Sequence, residues 1–456
     1  MSHHLTPAFL AEATGGTLFA PADTPLTSVV IDSRRVTDGS LFVAIPGQRV
    51  DGHDYVEGAI AAGAACALVQ RPISSSLPHV LVENTSLALG RLARAHRGAL
   101  SPITVGVTGS VGKTTTKQLI SSVLATDAPT LYTEGNLNNE LGLPLTLLSL
   151  TDQHRYAVLE MGMSERGEIA YLSEIAKPDI GVITCIGTSH IENLGSREAI
   201  AQAKLELVCG LSADGTLILN GDEPLLAGYD ALYVGFEPHG ERFLRIDHTE
   251  KTEDGTLFSL SDELGRRYPA ATVPGSGSHL VLDAALAYAT GLVAGLSPEQ
   301  IVRGIATFQN TGMRQHIEPF GGLRLLIDCY NAAPESMRAA LSVLKEEKKD
   351  GRGIAVLGDM LELGSYSPAL HEQVGRDAYE SGVDLLLTFG PLSFAIAKGA
   401  IDAGMEEERV WSFPDTSRPE ECAEALKRLC RDGDTILFKA SRGIALERVI
   451  KAFKEI

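Results

Sequence analysis

The stretch ITVGVTGSVGKTTTKQLI, residues 103–120, decides the fold. Ile103-Thr104-Val105-Gly106-Val107 is an apolar run of the kind that forms a buried strand, Gly109 and Gly112 follow it, and Lys113-Thr114 opens a stretch that can be helical. A strand that turns through glycines into a helix start aims several backbone N–H groups, and the positive end of the helix dipole, at one point. That arrangement cradles phosphate. Lys113 can reach the β and γ phosphates of a nucleotide, and the Thr114 hydroxyl can ligate Mg2+. Val107 stands where the usual loop carries one more glycine, so the loop is a shortened form.

Outward from this loop, buried apolar strands (YAVLEMG, DIGVITCIG, TLILN) alternate with helical stretches, which predicts a mostly parallel sheet covered on both faces. Between about 230 and 275 the period shortens to RFLRIDH and TLFSLSD, an antiparallel annex, and a helix is expected over 279–294. From 323 a second series of five strands with intervening helices predicts a doubly wound, Rossmann-like domain whose ligands sit at the C-terminal ends of its strands. Residues 1–100 carry short strands with helices near 54–63 and 86–98 and read as a small α/β domain ended by Ser101-Pro102. The chain of 456 residues exceeds the roughly 250–300 that one core serves. Three α/β domains are therefore expected, at 1–100, 101–312 and 313–456.

The net charge of −19 excludes an extended basic track for nucleic acid and leaves only local anion pockets. The six cysteines form no CxxC pair and no zinc-ligand spacing, and they read as buried thiols in a reducing compartment. The start, MSHHLTPAFLAEATGG, lacks a basic segment followed by an apolar one, and no run approaches the roughly 18 apolar residues of a membrane span. A cytoplasmic location is expected.

Three residues near the loop carry possible chemistry. Glu160 ends a buried strand, where an unpaired carboxylate is costly and a hard cation would stabilise it; a helix cap or a lysine pair would serve too. His190 follows the next strand in a polar loop at the same edge of the sheet, which makes it a candidate metal ligand. Lys204, on a mostly apolar helical stretch, reads by itself as a solvated-face lysine.

Together TGSVGKTTTK, TEGNLNNELGLPLTLL, EMGMSERGEIAYL, TSHIENLGSREAIAQAKLEL, DCYNAAPESMRAAL and VLGDMLELG resemble the Mur ligase family across all three regions, in order. These ligases use a TG-x-x-GKTT loop that dispenses with a glycine at the place of Val107. The resemblance implies ATP-dependent joining of D-Ala-D-Ala to a UDP-MurNAc-tripeptide through an acyl phosphate, by a monomer with two Mg2+ ions. It implies that the phosphates of ATP rest on Gly109, Ser110, Val111, Gly112, Lys113, Thr114 and Thr115, that Thr114 and Glu160 hold one Mg2+ and that His190 holds a second. Lys204 matches a lysine that the family carries as a carbamate, and with Lys113, Glu160 and His190 it completes the catalytic set. Arg314, Asp328 and Asn331 match residues that meet the nucleotide, and Lys439 to Arg442 line the same cleft. Asp283 and Leu280 stand where the family places asparagines near the adenine.

In the first region SVVIDSRRVTDGSLFVAIPGQRVDGHDYV resembles the UDP-sugar end of the substrate site, with Ser33 and Arg34 as its contacts and Gly47, Arg49 and Asp51-Gly52-His53 shaping the loop. Arginine suits bidentate recognition of phosphate. Thr133, Asn136, Asn138 and Asn139 would meet the diphosphate or the muramoyl-peptide, Asp359, Glu362 and Asn331 would lie near the dipeptide, and Arg442 would line the substrate cleft. The enzyme rivals are sibling ligases that add a single amino acid and a folylpolyglutamate synthase; the non-enzyme rival is a nucleotide switch, against which the absence of a guanine-reading NKxD speaks.

Overall fold

The computed structural model describes residues 5–20, 24–47, 49–73, 77–309 and 315–456. Among them each expected domain is built on its own sheet. The first has five strands in the order Thr17–Phe19, His79–Leu81, Cys66–Val69, Ser40–Val43, Ser28–Val30, parallel except for the antiparallel edge Thr17–Phe19.

The central sheet has nine strands. Ile103–Thr108 lies between Tyr156–Glu160 and Ile180–Ile183, parallel to both, and the register pairs Val107 with Glu160 and Thr108 with Ile183. The phosphate loop, Glu160 and the segment leading to His190 therefore leave the sheet at one level. The segment expected as an antiparallel annex does pair antiparallel within itself, and it is also continuous with this sheet. Leu232–Gly235 and Phe243–Thr252 continue the sheet in parallel, and Gly255–Asp262 runs the opposite way, antiparallel to Phe243–Thr252 on one side and to Ala271–Val273 on the other. The reversal comes where Thr252 pairs with Gly255 across a tight hairpin, a connection too short to return a strand in parallel.

Helix Lys113–Leu124 packs on one face of this sheet against helices Ser278–Val293 and Pro298–Ala306. The approach is close because Gly304 lies on the backbone of Val123: a Cβ at Gly304 would stand 2.5 Å from the Val123 Cα.

The third sheet has six strands, one more than expected, since His316–Phe320 turns at Gly321-Gly322 (φ +53° and +84°) into Leu323–Ile327 as an antiparallel edge. Its parallel strands follow the order Leu323–Ile327, Thr435–Lys439, Gly353–Gly358, Leu385–Phe389, Val410–Phe413.

Helix Thr85–Leu100, capped by the Asn84 side chain, belongs to the first domain in sequence but packs on helices Gly142–Leu147 and Glu168–Ala176 of the second. His96 Nε2 lies 3.1 Å from the Leu150 carbonyl oxygen, and Arg97 donates to the Lys177 carbonyl (2.9 Å) and to Asp179 (3.1 Å). Gly90 lets Tyr171 and Ile175 come against the helix.

The cysteines are not uniformly buried. Cys66, Cys329 and Cys422 are buried, Cys185 and Cys430 keep part of their surface, and Cys209 is exposed, because the short turn Glu206–Cys209 buries Leu207 instead. No described helix is long and apolar enough to cross a membrane.

Candidate active site

The phosphate loop is fixed from behind. The Ser110 N–H donates to the Cys185 carbonyl (3.0 Å), Ser110 Oγ accepts from the Gly187 N–H (2.8 Å), and Thr184 Oγ1 donates to the Val111 carbonyl (2.5 Å). A Cβ on Gly109 would meet Thr184 Oγ1 at 1.9 Å, so only glycine lets the loop lie this close to the next strand. Lys113 Nζ donates to the carbonyls of Gly109 (2.7 Å) and Ser110 (3.3 Å). The first turn of helix Lys113–Leu124 faces a cavity of about 710 Å3 that Ser110, Val111, Gly112, Thr114 and Thr115 help to line.

Glu160, 3% exposed, stands beside the loop. Its Oε2 accepts from Thr114 Oγ1 (2.9 Å) and lies 3.5 Å from Lys117 Nζ, and its Oε1 accepts from Asn138 Nδ2 (2.8 Å). Lys117 was missed in the sequence. It is fully buried, it donates to the Thr133 carbonyl (2.7 Å), and its only sequence signal is a lysine one turn after Lys113 on the apolar side of the helix. Thr133 and Asn138 support this carboxylate. Thr133 is 0% exposed and its Oγ1 accepts the Glu160 N–H (3.0 Å), so it cannot touch a substrate. Asn139 Oδ1 caps helix Gly142–Leu147 through the Gly142 N–H (2.8 Å), while Asn138 and Asn139 both reach the cavity and Asn136 is exposed outside it.

His190 lies in the left-handed region at φ +63°. Its Nδ1 is 2.7 Å from Glu362 Oε2, but misaligned for a hydrogen bond, and is left buried without one. Burial, with Lys113 and Lys204 nearby, lowers the imidazole pKa against the pull of Glu362 and favours the neutral form. Lys204 is not solvated: it is 2% exposed, and no hydrogen bond or ion pair reaches it from the described residues. Burial first and Lys113 second hold its ammonium well below the usual lysine range. A helix interior covered by its neighbours overrode the solvent-face reading.

The third domain closes the other side of the cavity. Lys439 Nζ, buried, donates to Asp328 Oδ2 (2.6 Å) and to the Asn331 carbonyl (3.1 Å), and all three residues line the cavity together with Asp283 and Leu280. Glu335, unremarked in the sequence, accepts from Thr188 Oγ1 (3.3 Å), and Tyr366 Oη donates to the Gly195 carbonyl (2.8 Å), both across the domain boundary.

Other expected contacts lie elsewhere. Asp359 is 1% exposed, and its Oδ1 accepts the Ser393 N–H (2.7 Å), so it holds a turn of its own domain. Arg442 pairs with Glu447 (3.1 Å) away from the cavity lining. Ser33, Arg34, Gly47 and Arg49 do not line the cavity, and Arg34 is highly exposed and bound to Asp32 (2.7 Å). Arg314 lies outside the described residues. From the first domain, Ser86 and Leu87 reach the cavity at the start of helix Thr85–Leu100.

Three family models match the chain in order. They are the Mur ligase family catalytic domain over residues 25–97, the Mur ligase middle domain over 107–291, and the Mur ligase, glutamate ligase domain over 313–442. A UDP-N-acetylmuramoyl-tripeptide–D-alanyl-D-alanine ligase of Bacillus subtilis (strain 168) is 39% identical over 97% of this chain and 96% of its own. A crystal structure of MurF from Acinetobacter baumannii is similar at a TM-score of 0.90 and 32% identity, covering 99% of both chains. A MurF ligase of Thermotoga maritima, in complex with ADP, gives a TM-score of 0.83 at 29% identity over 94% of this chain and 97% of that one.

Proposed function

The chain belongs to the Mur ligase family, and from that premise we propose that it uses ATP to join D-alanyl-D-alanine to UDP-N-acetylmuramoyl-tripeptide, as a monomer in the cytoplasm. The observation that carries this reading is one cavity lined by residues of all three domains, the phosphate loop among them. A carboxylate is a poor electrophile. Its oxygen attacks the γ phosphorus of ATP and ADP departs; the amine of the dipeptide then attacks the acyl carbon, loses a proton, and inorganic phosphate leaves as the amide forms. The protein's part is placement and charge neutralisation. Lys113 and the first-turn N–H groups hold the phosphates, and the third domain brings Asp328, Asn331 and Lys439 over them.

The residues present fit Mg2+. Thr114 and Glu160 give a hard, oxygen-only pair beside the loop, and His190 has a buried nitrogen without a hydrogen bond. Among the described residues no cluster of three or more His, Cys, Asp or Glu is placed for a metal, so nucleotide oxygens and water would complete each shell. Lys204 fits carbamylation, since a buried amine biased toward its neutral form is the species that takes up CO2, and as a carbamate it would join His190 at the second ion. The ions would neutralise charge on the transferred phosphoryl group.

The test is phosphate release from ATP, Mg2+ and UDP-MurNAc-tripeptide with and without D-Ala-D-Ala. Release that depends on the dipeptide is expected, and oxygen-18 in the terminal acid of the tripeptide should appear in the phosphate. Lys113→Ala and Glu160→Ala should each abolish turnover without unfolding the chain, as checked by circular dichroism. Release indifferent to the dipeptide would support the switch instead.

A further inference from the structure

Asp283 lies in the second turn of helix Ser278–Val293, 6% exposed, and lines the cavity against the phosphate loop. Its Oδ1 accepts from Thr116 Oγ1 (2.9 Å) and crowds Gly112, where an added Cβ would stand 2.6 Å from it. Its Oδ2 takes no hydrogen bond or ion pair from the described residues.

The groups around it supply no counter-charge. The Lys113 ammonium is turned to the carbonyls of its own loop, and Lys439 across the cavity is paired with Asp328. Cys185 behind the loop is kept a thiol by burial, and burial lowers the pKa of His279, one turn back on the same helix, so that it favours the neutral form. An ionised carboxylate here would be poorly solvated, without a cation, and set against a loop built for a polyanion.

We propose that Asp283 works as a neutral carboxylic acid: Oδ1 accepts from Thr116 while the O–H on Oδ2 donates to the nucleotide, the pattern of a carboxamide, and nucleotide affinity falls when that proton leaves. This rests on the reading of the loop as a nucleotide site. Burial, opposed only by the Thr116 hydrogen bond, pushes the carboxyl up to about 8, so the acid form prevails at neutral pH. A protonated acid and an amide each offer one donor side and one acceptor side, and Asp283→Asn keeps both while removing the titration.

ADP binding by calorimetry, on the full chain, tests the idea at pH 7 and pH 9. Wild-type affinity should fall about tenfold over that range, and Asp283→Asn should hold its pH 7 affinity within about twofold. A parallel fall in both proteins, or loss of ADP binding by Asp283→Asn at both pH values, overturns the proposal and spares the nucleotide site. Failure of the wild type to bind ADP at either pH sinks the nucleotide reading and the proposal with it. Should the variant not fold, difference infrared spectra of the wild type decide: loss of a neutral-acid carbonyl band between pH 7 and 9, unaccompanied by unfolding, supports the proposal, and its absence at pH 7 refutes it.

Discussion

Glu160 is held by contacts from three directions, with the Thr114 hydroxyl, the Asn138 amide and the Lys117 ammonium around one buried carboxylate. Lys117 is the only cation among these contacts, so removing its charge while keeping its length leaves a buried anion uncompensated. Lys117→Met should lower stability by about 3 kcal/mol in urea denaturation, and Lys117→Arg should recover part of it. A neutral result would mean that Glu160 does not need this partner. At this scale the sequence is uneven. Lys113 and Thr114 were legible because a strand, two glycines and a helix start leave them one geometry. Lys117, Thr133 and Glu335 were not, since their roles depend on which side chains the fold sets opposite them. Lys204 was misjudged from its helix alone, because burial is decided by neighbours distant in sequence.

The phosphate-loop helix owes its position to a neighbouring glycine. Gly304 brings helix Pro298–Ala306 onto the backbone of Val123, and a methyl group there would press on main chain that cannot swing aside. Gly304→Ala should cost about 2 kcal/mol in thermal unfolding and weaken ADP binding, since the displaced helix carries Lys113 and Thr114. An unchanged melting temperature would show that the helices can separate freely. Most helices were visible as apolar periodicity flanked by caps and prolines: those expected at 86–98 and 279–294 are found at Thr85–Leu100 and Ser278–Val293. The edge strand His316–Phe320 and the parallel extension through Phe243–Thr252 were hidden, because a short run does not reveal which strand it will pair with.

Across the whole molecule, Glu347 at the end of helix Pro334–Glu347 fastens the third domain to the second. It accepts from Lys251 Nζ (2.6 Å) and Ser276 Oγ (2.6 Å) of the central domain and from Arg324 of its own. Burial raises its pKa, but these hydrogen bonds outweigh that and take it down to about 2, so the carboxylate stays ionised throughout the neutral range. Ser276 lies two residues before the helix that carries Asp283, which links this fastening to the nucleotide side. Glu347→Gln should enlarge the radius of gyration in small-angle scattering without ligand, and ADP should reverse part of the change; identical curves would remove Glu347 from this role. Three domains and one shared cleft were legible from motif order, whereas the contacts that dock the third domain were not, being single residues far apart in sequence. Helix Thr85–Leu100 has its own consequence at this scale. Counted with the first domain yet packed on helices of the second, it acts as a dowel through both, and together they make the jaw that faces the third domain. A hinge between that jaw and the third domain leaves the dowel unbroken, and a compound wedged at that joint would jam the machine without resembling any of its substrates.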